Sequence, residues 1–177
     1  MSSKIIIIIA KKSFKDEEYF ITKEILERAG FLIETASSEK GIAYGVDGGD
    51  VNVDVTLESI DLESIVALVL IGGSGAQIYL ESDIIHDLIR RANQNGKIIG
   101  AICVAPAILA KAGILNGKNA TVWTSSLDKK FAKILEAEGA NYLNQDLVED
   151  GRIITANGPE ATMIFAQALI KKIQQTN

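Results

Sequence analysis

One cysteine, one histidine, one tryptophan and two prolines are all that 177 residues contain of those types, and most of these scarcities remove a class of chemistry. With Cys103 as the sole thiol there is no internal disulfide, which points to a reducing, cytoplasmic setting. With Cys103 and His86 as the only thiol and imidazole, a transition-metal site lacks ligands, and neither metal nor cofactor is expected. Basic residues never cluster into a long run. Lys11-Lys12 and Arg90-Arg91 are isolated pairs of the kind that line solvated faces, and the net charge is −5, so nucleic acid is not an expected partner. Ile5 to Ile9 is β-branched throughout but ends at Lys11 and Lys12, too short for a membrane span or a secretory core. Internal repeats, linkers and low-complexity segments are also missing, so residues 1–177 read as one domain.

What the chain does have is apolar strand-like runs alternating with helical patterns. At 47% hydrophobic it has ample material for a core. Strands are predicted at 4–10, 31–36, 65–71, 97–102 and, shorter, at 119–123 and 141–143. Helices are predicted at 16–29, 82–95, 103–112, 126–138 and 158–175, with Phe20, Ile21, Ile25 and Leu26 as the buried side of the first. Residues 41–56 are glycine-rich with alternating valines and read as a small hairpin on the sheet edge. Residues 147–156 read as a hairpin around Asp150-Gly151 with a type I′ turn. This alternation predicts an α/β fold, a three-layer α/β/α sandwich with a mostly parallel central sheet.

Ligands of open α/β sheets bind at the carboxyl ends of the strands. Three features fall there. Cys103 follows the apolar run 97–102 and precedes a helix with Pro106 in its first turn, the setting of a nucleophile elbow. A helix N-terminus favours negative charge, so a lowered thiol pKa is expected, although a buried inert cysteine fits the same local sequence. Gly72-Gly73-Ser74-Gly75 ends another strand. It reads as an oxyanion hole completed by the Val104 N–H, as a phosphate cradle, or as a tight turn. Asp16, Glu17 and Glu18 crowd the start of the first helix; one of them, kept protonated by an apolar site, would serve the cysteine, and spacing does not choose among them.

His86 lies inside the helix 82–95 and is expected to face outward, so a Cys–His dyad within one chain is not expected. Trp123 ends the strand after the elbow helix and reads as core, dimer contact or pocket wall. Asn157, before Gly158-Pro159, is a ligand contact if its turn borders the cleft.

Ala10-Lys11 through Glu18, Arg28-Ala29-Gly30, Gly72-Gly73, Ala101 to Pro106, Asp150-Gly151 and Asn157-Gly158-Pro159 together resemble the PfpI/ThiJ family, the intracellular-protease and deglycase group, along nearly the whole chain. The resemblance implies a flavodoxin-like fold, a homodimer and a strained backbone at the cysteine. It aligns Cys103 with the nucleophile, Glu18 with the glutamate beside it and Gly73 with a backbone donor. Two departures stand out: Val104 replaces the histidine that follows the cysteine in family peptidases, and Trp123 stands where deglycases and glyoxalases carry histidine. Asn157 replaces an arginine of some relatives. The activity implied is glyoxalase- or deglycase-like action on small reactive carbonyls through Cys103 and Glu18. A non-enzymatic oxidation sensor using Cys103, and a cysteine peptidase or amidase with a base from another subunit, stay open beside it.

Overall fold

The computed structural model describes residues 3–176. Its strands are β1 (Lys4–Ile8), β2 (Lys12–Phe14), β3 (Leu32–Ser37), β4 (Gly41–Gly45), β5 (Asp50–Val53), β6 (Val55–Thr56), β7 (Ile65–Leu70), β8 (Ile98–Ile102), β9 (Asn119–Ala120), β10 (Asn141–Tyr142), β11 (Leu147–Asp150) and β12 (Ile153–Ala156). The helices are α1 (Asp16–Arg28), α2 (Asp83–Gln94), α3 (Pro106–Lys111), α4 (Lys130–Ala137) and α5 (Thr162–Thr176). A 3₁₀ helix, Ser74–Glu81, follows the glycine loop.

Seven strands make the central sheet in the order β11-β12-β8-β7-β1-β3-β6, parallel throughout except for β11. Ile5 to Ile9 are fully buried, as the side chains of a central strand covered on both faces must be, each worth roughly 1.5–3 kcal/mol of burial. Helices α1 and α5 pack on each other over one face, and α2 and α3 pack together on the other. The fold is therefore the expected three-layer α/β/α sandwich. No described helix is long and apolar enough to cross a membrane.

Several local expectations are revised. The buried face of α1 is Glu18, Tyr19, Thr22 and Leu26, whereas Phe20 is exposed and Ile21 and Ile25 are half-buried. Polar anchors turn the helix this way: Glu18 accepts the Gly72 N–H, and the Tyr19 hydroxyl lies 2.6 Å from Thr35 Oγ1. Segment 41–56 does form a hairpin, but β4 and β5 join β2 in a separate three-stranded sheet, and only Val55–Thr56 (β6) extends the central sheet, as its edge beside β3. Its tip is tied to α1 by the Asp16 carboxylate, which accepts the N–H groups of Asp47 and Gly49. In the β11–β12 hairpin Asp150 pairs with Ile153, so the turn residues are Gly151 and Arg152. Only Gly151 has positive φ (62°), which excludes a type I′ turn.

The parallel register aligns the strand ends. Ile8 is level with Leu70, and Leu70 with Ala101. The segments leaving β1, β7 and β8 therefore emerge side by side at one edge, carrying residues 9–18, the glycine loop and Cys103.

Candidate active site

Cys103 sits one residue beyond β8 with φ 63°, in the left-handed region that non-glycine residues rarely occupy. Its N–H donates to the Ala156 carbonyl at 3.0 Å, and its own carbonyl accepts the Trp123 N–H at 2.8 Å. These bonds hold the reversal between strand and helix. The regular helix α3 begins only at Pro106, three residues later than the sequence suggests, because Cys103 to Ala105 form the turn itself.

Packing at this corner explains the glycines. A side chain on Gly72 would bring its Cβ to 2.5 Å from Cys103 Cβ and 2.9 Å from Glu18 Oε2. Gly73 has φ 105° and lies against the backbone of Ser13 and Lys15, while a Cβ on Gly75 would collide with the Lys12 carbonyl. The Lys15 N–H donates to the Gly72 carbonyl at 3.0 Å. Glycine is thus required for the close approach of two loops, and the same approach delivers Glu18 to Cys103.

The three acids of α1 separate cleanly. Glu17 is exposed, Asp16 holds the β4–β5 hairpin, and Glu18 is fully buried with Oε2 accepting the Gly72 N–H at 2.9 Å. Glu18 Oε1 has no hydrogen-bond partner, and the carboxyl and the Cys103 side chain pack against the same Gly72 position, close enough for each to shift the other's titration. Burial raises the Glu18 pKa to about 7, against the opposing pull of the Gly72 N–H, the thiol and Lys15.

The thiol does not behave as a helix N-terminus alone would dictate. Burial, and next the Glu18 charge, push its pKa above the ordinary range; the Gly73 and Val104 N–H groups directed at the sulfur pull the other way and are outweighed. The expected resting thiolate is replaced by a buried thiol beside a carboxyl that titrates near neutrality.

Cys103 faces a cleft of about 380 Å³ bounded by Gly73, Ser74, Val104 and Trp123, and by Gln77, Asp128, Lys130 and Phe131. Trp123 and Phe131 meet edge to face, 6.4 Å between centroids. Asp128, Lys130 and Phe131 were hidden in the sequence because the helix expected at 126–138 starts at Lys130. The Ser125 side chain caps the Asp128 N–H and Asp128 caps the Lys130 N–H, which turns this loop toward the cleft. Gln77 belongs to the 3₁₀ helix, for which the sequence carries no periodic signal; its side chain accepts from Lys130 Nζ at 3.3 Å.

Two expected positions differ. Asn157 does not line this cleft; its amide donates to Asp146 at 3.1 Å, which turns it toward the β11 side. His86 is buried, not outward-facing, because α2 directs it inward with Ile85 and Ile89. Its Nε2 has no partner, and burial lowers its pKa. It does not line the Cys103 cleft. Among the described residues no three His, Cys, Asp or Glu side chains cluster as metal ligands.

A sequence model of the DJ-1/PfpI family matches residues 3–172. The chain belongs to the DJ-1/PfpI family. An uncharacterized protein of Methanocaldococcus jannaschii is 33% identical over 99% of this chain and 85% of its own. The Pyrococcus furiosus protein named deglycase PfpI is 26% identical over 96% of this chain and 99% of its own. The crystal structure of a ThiJ/PfpI domain protein from Brachyspira murdochii superposes with a TM-score of 0.93 at 29% identity, covering 99% of both chains. That DJ-1/PfpI structure shares the flavodoxin-like three-layer fold found here.

Proposed function

We propose that this DJ-1/PfpI chain is a glyoxalase- or deglycase-like enzyme acting on small reactive carbonyls, with Cys103 as nucleophile and Glu18 as the group that moves protons. The observation that carries this reading is the buried Glu18–Cys103 pair. A carboxyl titrating at about 7 is matched to proton transfer at neutral pH, where an ordinary carboxylate is too weak a base. The pair needs no histidine, and neither Val104 nor Trp123 supplies one. The relative named deglycase supports the same reaction class.

With methylglyoxal the steps balance as follows. The Cys103 sulfur bonds to the aldehyde carbon, the carbonyl π pair moves to oxygen, and the thiol proton passes through Glu18 to that oxygen, giving a hemithioacetal. Glu18 then takes the proton from the former aldehyde carbon to the neighbouring carbonyl oxygen, giving an enediol, and a second transfer moves a proton from the hydroxyl of the former aldehyde carbon to the neighbouring carbon, which leaves a thioester whose neighbouring carbon carries the hydroxyl. Water cleaves the thioester to lactate and the free thiol, so the net change is addition of one water. The Gly73 and Val104 N–H groups, already directed at the sulfur, hold the developing oxyanion.

Lactate formation from methylglyoxal tests the reading. The expected result is activity in the wild type, none above background in Cys103→Ala, and a loss of about 10²-fold or more in Glu18→Gln. Equal rates in the wild type and Cys103→Ala overturn it.

A further inference from the structure

We propose that the carbonyl substrate of this chain carries a phosphate group, and that a second pocket beside the Cys103 cleft, built on Lys11, Lys12, Ser13 and Ser74, receives it. The inference rests on Cys103 being the nucleophile proposed above, but the pocket itself is a separate observation.

This pocket has a volume of about 420 Å³, and its wall includes Lys11, Lys12, Ser13, Glu39, Ser74 and Gly75. Ser74 lines it and the Cys103 cleft alike, so the two cavities meet at the start of the 3₁₀ helix, with Gly73 on one side and Gly75 on the other. A ligand laid across Ser74 therefore presents one end to the sulfur and the other to the lysines.

The chemistry of the wall selects an anion. Lys11 Nζ is held by the main-chain carbonyls of Glu39 and Lys40, which fixes its charge in place without neutralising it. Among the described residues neither Lys11 nor Lys12 forms an ion pair. The Glu39 side chain is the one carboxylate on the wall and pairs with neither lysine, so positive charge is in excess. Ser13 and Ser74 add two hydroxyl donors. Two ammonium groups with two hydroxyls suit a dianion with three acceptor oxygens better than a single carboxylate. The position is also fixed by the backbone. Ser13 has φ 61°, and its carbonyl lies where a Cβ on Gly73 would be, so β2 is pinned to the glycine loop. The sequence alone reads Lys11-Lys12 as a solvated face; the fold places the pair at the strand end that borders the cysteine.

The test compares 3-phosphooxy-2-oxopropanal with 3-hydroxy-2-oxopropanal, both 2-oxoaldehydes that the reaction proposed above converts to the corresponding 2-hydroxy acid by net addition of one water, and measures inorganic phosphate binding by titration calorimetry at low salt, in the wild type and Lys12→Gln. The wild type is expected to bind phosphate and to prefer the phosphorylated aldehyde by about tenfold in kcat/KM, the effect of one good charged contact. In Lys12→Gln phosphate binding weakens by about tenfold, and the preference falls toward one through a higher KM for the phosphorylated aldehyde. Phosphate binding that survives Lys12→Gln, or a wild type that turns over both 2-oxoaldehydes with no preference, overturns the proposal. Lys12-dependent phosphate binding with neither aldehyde turned over supports the pocket and removes the Cys103 reaction instead.

Discussion

Replacing Glu18 with glutamine removes one negative charge and leaves the shape of the site nearly intact, so it isolates what the carboxylate does to the thiol. Glu18 is buried beside Cys103, and its charge holds the thiol proton on. For unit charges ~4 Å apart at an effective dielectric of ~20 the repulsion is about 4 kcal/mol, or about three pH units of thiol titration. Burial persists in the variant, and so do the Gly73 and Val104 N–H groups. The midpoint of Cys103 alkylation by iodoacetamide is therefore expected to fall by about two to three pH units in Glu18→Gln. The assay reads a single site, since Cys103 is the only cysteine. A midpoint equal to or above that of the wild type would refute the reasoning, because it would mean that Glu18 already stands protonated and stabilises the thiolate.

The other expectations concern stability. The Glu18 pKa is raised from 4.5 to about 7, so its contribution is fully present below about pH 4.5 and lost as pH rises through about 7, by about 3 kcal/mol. Denaturant unfolding should show this loss in the wild type and not in Glu18→Gln. His86 has the opposite sign: its pKa is lowered by burial, so stability falls as pH drops below 6.5, and His86→Leu should flatten the acid limb of the same curve. Gly72→Ala forces a methyl group against Cys103 and Glu18 and should cost about 1–3 kcal/mol of unfolding free energy, with the pH dependence of alkylation altered as well.

The layers of this fold were legible because the isoleucine and valine runs of β1, β7 and β8 and the glycine stops of the helices are local signals. Cys103 was legible for the same reason, as a polarizable residue stranded between a buried strand and Pro106. Glu18 was one of three acids that spacing cannot separate; only the approach of Gly72, which no local pattern encodes, distinguishes it. The thiol pKa was misread because a helix N-terminus is a local feature, whereas desolvation and the Glu18 charge arise from residues 85 or more positions away in sequence or from the packed whole. His86 and Phe20 were misplaced by small rotations of helices whose polar residues are tethered inward. Gln77 lies in a 3₁₀ helix and Asp128 in a side-chain-capped loop that delays the start of α4 to Lys130, and neither geometry has a hydrophobic period to read.

The most direct test of the central claim, that Glu18 carries the proton for Cys103, is the pH dependence of kcat/KM for methylglyoxal. The account predicts a rise through about pH 7, the apparent titration of the pair, and its disappearance in Glu18→Gln, where the residual rate follows the thiol alone. A limb near pH 7 that persists unchanged in Glu18→Gln would contradict it.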